Sequence, residues 1–399
     1  MFSTRITLEP DTELTPEQCA LLARAAHTAK QNVKTRARLA TALNHLDFQE
    51  DVIALLQSAQ DRSVPEVILL SSALLRRPGK ARFAQATAAI DQFIGLAREP
   101  VDRGRLLAQA GRIRASLNDL DGAQRAWTKA LELDPHNSEA CLRRAVLDLR
   151  SGHPQAALAL VERLRSLGVR HAYVLAVKTL ALARAGDIAA ARRTSPFDLT
   201  DFSDVAPPDG WTSIGDFNAA LAQELFAHPA FARFRYGSSK TARWGINSPL
   251  SRNTPLLHLL MNQIASALVA PLERFAGRVH QWNDGSPAEA VLHCSCVVAD
   301  CDEFDEWHVH PTGWLNGVYY LQVPATISAG QDEAGCVAFG LPDGPVGPQA
   351  ATDYGISTVR PRQGAMLLFP SHFYHRTFPH QLAERRIVIT FELRPVGGA

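Results

Sequence analysis

The sequence predicts two domains of different class, an all-α solenoid followed by a β-barrel braced by helices. Three observations carry this. Up to about residue 195 the chain is rich in Ala, Leu and Arg at helical spacing. After about residue 285 it turns to short runs of Val, Ile and Phe between Gly and Pro turn signals. Within the helical half, small residues recur at a nearly fixed interval. A chain of 399 residues exceeds one average domain, and each part is long enough to bury a core.

The repeat is read from Ala123, Ala156 and Ala190, each following a turn segment. Their offsets are 156 − 123 = 33 and 190 − 156 = 34. A period near 34 with a small residue at the helix contact is the tetratricopeptide signature. The clearest unit, LNDLDGAQRAWTKALELDPHN at residues 117–137, is similar to the second half of that consensus. Ala123 and Ala130 let two helices approach closely, and Pro135 stops the second helix. Weaker echoes lie at 48–56 and 83–94. Four to five helix pairs are therefore expected over 15–195, and residues 1–195 are assigned to the tetratricopeptide-like domain. Its concave face suits docking of a protein or peptide; a spacer or a self-association platform is the alternative.

Residues 196–285 read as a junction. Pro207, Pro208 and Gly210 mark loops. Two amphipathic helices follow, at Ile214–Phe226 and at 256–275, of the kind that buttress a sheet. Residues 286–399 are then the barrel core.

Composition narrows the partners. A hydrophobic fraction of 46% and a charged fraction of 20% are those of a globular protein. The net charge of +1 gives no whole-chain field towards nucleic acid or an anionic membrane. The first residues lead into an acidic, polar stretch and not into the apolar core of a secretory signal. Apolar runs such as 67–75 are shorter than a bilayer span. Cys19, Cys141, Cys294, Cys296, Cys301 and Cys336 are scattered, so they read as reduced core thiols in a cytoplasmic protein.

The chemistry lies in the last third. His308 and His310 are two apart, so on a strand both imidazoles point to one face and can chelate one metal. His375 follows the apolar run 365–370 and a Pro370-Ser371 turn, a sensible place for a third ligand. Iron on a β-barrel usually has two histidines and a carboxylate, which leaves positions for O₂ and a chelating cosubstrate. Here His310 stands where that carboxylate would be, either as a third ligand or beside an iron with two protein ligands and a water. Asp302, Glu303, Asp305 and Glu306 lie nearby, either as a carboxylate source or as a lid. Arg386 opens an apolar strand, where its planar fork suits a carboxylate. Thr390 and Tyr319 or Tyr320 offer hydroxyls to the same end. A structural ion pair from Arg386 to Glu384 or Glu392 is the competing reading. His293 reads as an inward strand residue, and His372 and His380 as supporting or exposed ones, with a structural role for all three.

The blocks His-x-His-Pro at 308–311, Gly-Val-Tyr-Tyr-Leu at 317–321, Gly-x-x-x-Leu-Phe-Pro-Ser-x-x-x-His at 364–375 and Arg-Ile-x-Ile-x-Phe at 386–391 resemble a bacterial and phage family of 2-oxoglutarate/Fe(II) oxygenases. The resemblance covers about residues 285–395. It implies a double-stranded β-helix of jelly-roll or cupin-like form. It also implies Fe(II) held by His308 and His375 with His310 in the carboxylate's place, and 2-oxoglutarate held by Arg386. Asn316 stands where the family often has serine, beside the cosubstrate positions. The joined plan is similar to aspartyl/asparaginyl and prolyl hydroxylases, which implies hydroxylation of a protein or peptide side chain. Two other readings compete. One is a tetratricopeptide adaptor with a catalytically silent barrel. The other is a three-histidine metalloenzyme holding Zn, Ni or Fe without 2-oxoglutarate.

Overall fold

The structure, a computed structural model, describes residues 4–9, 15, 17–18, 21, 33–76, 79–234, 243–250 and 253–396. Its helical half consists of paired antiparallel helices: α1 (Val33–His45) with α2 (Gln49–Gln57), α3 (Val64–Arg76) with α4 (Lys80–Leu96), α5 (Pro100–Ser116) with α6 (Leu120–Leu133), α7 (Ser138–Arg150) with α8 (Pro154–Ser166), and α9 (Ala172–Arg184) with α10 (Ile188–Thr194). Among the described residues that makes five pairs, in line with the four to five expected.

The turns show why the period holds. Asn118, Gly152 and Gly186 all have φ between +62° and +87° and fall 34 residues apart (152 − 118 = 34; 186 − 152 = 34). Each ends one helix in the left-handed region, which Gly and Asn tolerate. After Asn118 and Gly186 the next residue is an aspartate that caps the following helix. Asp119 accepts from the Gly122 amide, and Asp187 from the Ala190 amide, each at 2.9 Å. Ala123, Ala130 and Ala157 are fully buried at the helix contacts. Trp127 fills the space beside Gly111, and its indole N–H donates to the Ala108 carbonyl at 3.0 Å.

The second half is built on strands β1 (Arg5–Leu8), β2 (Asp201–Asp204), β3 (Ala232–Phe234), β4 (Arg243–Asn247), β5 (Glu289–Ala299), β6 (Leu315–Gln322), β7 (Val337–Phe339), β8 (Ser357–Val359), β9 (Ala365–Pro370), β10 (His375–Thr377) and β11 (Arg386–Pro395). The large sheet runs β2-β9-β6-β11-β5-β4-β3, and a small sheet runs β10-β7-β8. The two enclose a pocket, as expected of a double-stranded β-helix. Helices α11 (Ile214–Phe226), α12 (Pro255–Ala267) and α13 (Val269–Ala276) pack Phe217, Leu221, Leu257, Leu260, Ile264 and Leu272 into the barrel's core.

Three differences from the sequence reading concern boundaries. Residues 5–8, assigned to the helical domain, form β1, which pairs in parallel with Glu289–Leu292 of β5. Four residues carry too little alternation to register as a strand. The stretch read as a junction contributes β2, β3 and β4 to the large sheet. The helix expected at 256–275 is two helices that meet at Leu268. By length and composition alone, Pro255–Ala276 is the one helical stretch among the described residues apolar enough to cross a membrane. Leu257, Leu260, Met261 and Ile264 on it are buried in the barrel's core. Of the six cysteines, Cys19 lies outside the described residues and the other five are free thiols. Burial pushes Cys141 and Cys296 up to about 12.

Solenoid and barrel share a core. One apolar cluster takes Ala140, Leu149, Val174 and Leu180 from the repeats together with Val309, Leu341, Val346, Tyr354 and Tyr374 from the barrel. The Tyr354 hydroxyl donates to the Ser195 carbonyl at 2.8 Å, and Arg192 to the Asp353 carbonyl at 2.8 Å. His372, read as supporting or exposed, is buried at this seam and bonds the Thr194 carbonyl at 3.0 Å. His171 lines the same seam cavity. Burial, reinforced by His136, lowers His171 to about 4; burial, opposed by the Thr194 carbonyl, lowers His372 to about 3. Both are neutral when folded, whereas an unfolded histidine titrates near ~6.5. The unfolded state therefore binds more protons below that value. Stability is full above about pH 6.5 and falls as pH drops towards 4. Thermal unfolding at pH 7.5 and 4.5 should show a lower midpoint in acid, and His171→Leu should flatten the dependence.

Candidate active site

The strand parity of β11 and β6 builds the site. Residues 386, 388, 390 and 392 share one face of β11, as 316, 318 and 320 do of β6. In register Val318 lies opposite Thr390, so these faces meet. The pocket between the sheets is lined by Asn316, Val318, Tyr320, Arg386, Val388 and Thr390, by Val297 and Ala299 of β5, and by His308, His310 and His375.

The segment carrying His308 and His310 is extended but is not a full strand; β6 begins only at Leu315. Its backbone is fixed by exchanged bonds between His308 and His375 at 3.0 and 3.1 Å, and by the His310 amide donating to the Ser371 carbonyl at 3.1 Å. The three imidazoles offer ligand atoms that all lie within 4.8 Å of one another. His310 Nε2 and His375 Nε2 are 3.3 Å apart. Each Nδ1 has an oxygen partner: the Glu306 carbonyl for His308 at 2.7 Å, the Glu392 carboxylate for His310 at 2.7 Å, and the Phe373 carbonyl for His375 at 3.0 Å. Those acceptors fix the Nδ1–H tautomer and leave each Nε2 lone pair free, as a metal ligand requires. Burial, and then His310, lowers His308, with Asp305 opposing; burial, and then His308 and His310, holds His375 well below its ordinary value. Neutral rings are the form that binds metal.

Arg386 is buried, with Nη1 donating to the Gly335 carbonyl at 2.6 Å. Neither acid of the competing reading pairs with it: Glu392 reaches His310 instead. Burial pulls the Arg386 guanidinium below its ordinary value, with Tyr320 and Asp305 opposing. Thr390 lines the pocket. Tyr319, named with Tyr320 as a hydroxyl source, faces the other way and donates to Asn218 of α11 at 2.7 Å. Tyr320 lines the pocket in its place. The parity shared with Asn316 was the signal that separates them. Asp305 is no exposed lid residue; it lines the pocket and pairs with Arg243 at 3.1 Å. Burial raises its carboxyl, but Arg243 and His308 more than offset this and hold it low. His380 is buried and bonds the Ala299 carbonyl at 3.3 Å. Sequence reasoning missed Arg243 and assigned Glu392 elsewhere. An isolated arginine in a five-residue strand gives no signal, whereas Glu392 continues the parity of Arg386 and Thr390.

Arg386 Nε, Tyr320 Oη, Asn316 Nδ2 and Arg243 Nε are buried without a partner. Each such group costs about 1–3 kcal/mol, so native structures keep few of them. All four can donate. A ligand satisfying them brings several oxygen acceptors, as a dicarboxylate does, and three convergent Nε2 atoms suit a divalent transition metal. The residues present therefore fit Fe(II) and 2-oxoglutarate.

The fold and site define a double-stranded β-helix with three convergent imidazoles, joined to helical repeats. Residues 295–392 match the family model described as "Putative 2OG-Fe(II) oxygenase", and residues 114–181 match the tetratricopeptide repeat. Similar solved structures include a Pseudomonas putida prolyl-4-hydroxylase at 17% identity, covering 54% of this chain and 100% of that one with a TM-score of 0.32. A Trichoplax adhaerens prolyl hydroxylase in complex with a hypoxia inducible factor peptide fragment is 14% identical, over 53% and 90%, with a TM-score of 0.35. A thermophilic tetratricopeptide protein of Thermus thermophilus is 21% identical, over 37% and 79%, with a TM-score of 0.31. No curated protein matches the chain.

Proposed function

We propose that this protein is an Fe(II)- and 2-oxoglutarate-dependent dioxygenase that hydroxylates a protein or peptide side chain docked with help from the solenoid. The observation that carries this reading is the convergence of three tautomer-fixed imidazoles beside four buried, unpartnered donors. When bound, iron and 2-oxoglutarate supply the oxidation: the cosubstrate is decarboxylated to succinate and CO₂ as one oxygen atom enters a C–H bond. His308, His310 and His375 hold the ion. Arg386 and Tyr320 hold the distal carboxylate, with Asn316 and Thr390 beside them. Val297, Val318 and Val388 keep water from the reacting centre.

Docking through the repeats is supported by continuity. Tyr173 of α9 packs on the cluster that contains Tyr374, the neighbour of His375. The repeats are thus fixed directly behind the segment that carries His375. A cytoplasmic location fits the free thiols.

The test is succinate formation from 2-oxoglutarate by protein loaded anaerobically with Fe(II) and then exposed to O₂. Turnover, even uncoupled from a substrate, is expected. If iron binds but a titration shows no 2-oxoglutarate binding, the oxygenase reading fails and a three-histidine metalloenzyme takes its place.

A further inference from the structure

A chain of polar contacts leads from the metal-facing imidazoles to the N-terminal strand. His310 Nδ1 donates to Glu392 Oε1 at 2.7 Å. Glu392 Oε2 accepts from the Thr312 hydroxyl at 2.9 Å and from Arg394 Nε at 2.9 Å. The Arg394 guanidinium lies 3.6 Å from the Glu9 carboxylate. Glu9 also bonds His293 Nδ1. The Glu9 amide is fixed by the Leu292 carbonyl at 3.1 Å, the last rung of the β1–β5 pairing. Residues 4–9 thus bring a carboxylate from the far end of the sequence to a support of His310.

We infer that β1 is a positioning element for the metal centre: Glu9 anchors Arg394, and Arg394 holds Glu392 against His310. The chemistry follows from the shared carboxylate. Glu392 must be anionic and correctly turned to accept from His310, since that bond fixes which imidazole nitrogen faces the metal. Arg394 supplies the turning force through a charge-assisted bond, but it also draws electron density from the carboxylate. Glu9 offsets that charge and keeps the guanidinium from swinging into solvent. Without Glu9, Glu392 becomes a weaker acceptor and His310 a weaker ligand. Without Arg394, Glu392 loses its fixed rotamer. Both are positioning residues, since neither touches the ion. Arg5, on the same strand, makes only an exposed pair with Glu289 at 2.6 Å and lies outside this chain of contacts.

The inference rests on the reading that the three imidazoles hold a divalent ion, and its test keeps the two apart. The chelator-treated full chain is titrated with Co(II), and affinity and the visible Co(II) absorption are read without turnover. Outer partners of metal-binding histidines are typically worth ~10–100-fold in affinity. Arg394→Met is expected to weaken Co(II) about tenfold and Glu9→Gln several-fold, both with a shifted absorption band. Arg5→Met should match wild type. Arg394→Lys, which keeps the charge without the fork, should recover part of the affinity and carries the test if Arg394→Met does not fold. Wild-type binding with unchanged Glu9→Gln and Arg394→Lys affinities overturns the inference. So does an equal loss in Arg5→Met, which would mean that strand docking alone matters. Absence of Co(II) binding by wild type would overturn the metal centre itself, and this inference with it.

Discussion

His375→Ala is expected to abolish tight divalent-metal binding while leaving the protein folded. His375 supplies one of three convergent ligand atoms from the most buried position of the set. Removal of an outer partner already costs ~10–100-fold in affinity, so loss of a ligand should cost more than about a hundredfold. The imidazole also packs on Phe369, with ring centroids 4.6 Å apart, so some stability is lost with it. The backbone bonds that join residue 375 to His308 involve main-chain atoms and survive the substitution. The check is paired: iron content after reconstitution, and the far-ultraviolet spectrum with the thermal midpoint. Succinate formation should vanish with the iron. Retained stoichiometric iron would mean that His308 and His310 suffice, and that His375 is not a ligand.

Arg386→Met should have opposite effects on stability and on cosubstrate binding. The guanidinium is buried with a single carbonyl partner and an orphaned Nε. A buried charge without a compensating anion is costly, and replacing buried ions with apolar groups of similar volume is often neutral or stabilising by about 1–4 kcal/mol. The variant should therefore melt at the same temperature as wild type or higher. Its 2-oxoglutarate affinity should fall by about a hundredfold, within the ~2–5 kcal/mol lost when one member of a buried charge pair is truncated. Metal affinity should not change, because Arg386 does not contact the histidines. Thermal unfolding and a 2-oxoglutarate titration of the metal-loaded protein decide it. A variant that melts lower and binds 2-oxoglutarate normally would assign Arg386 a structural role.

The solenoid was legible because its period is written twice, in the small residues at helix contacts and in the turn residues at Asn118, Gly152 and Gly186. The cluster of three histidines was legible because they sit in short ordered blocks. What was hidden is what depends on distant pairing. β1 is four residues long and finds its partner strand at Glu289–Leu292, beyond the reach of any local pattern. The Arg243–Asp305 pair unites a short strand with a loop, and neither end signals the other. Tyr319 and Tyr320 differ only in parity, and a strand's parity is set once a register with its neighbour is known.

The segment 307–310 has two sides with separate occupations. His308 and His310 look into the pocket, while Val309 is built into the apolar cluster of the repeats, with Trp307 packed against it. Tyr374, beside His375, belongs to that cluster too. The repeats are therefore the back wall of the three-histidine pocket, and the border between the two folds is not a line along which the chain can be divided. A barrel excised at residue 196 would expose Val309 and Tyr374 to water and loosen the backbone that carries all three imidazoles. Over evolutionary time, substitutions on the inner sides of α7 and α9 should be constrained by the geometry of the three imidazoles as well as by whatever those helices hold.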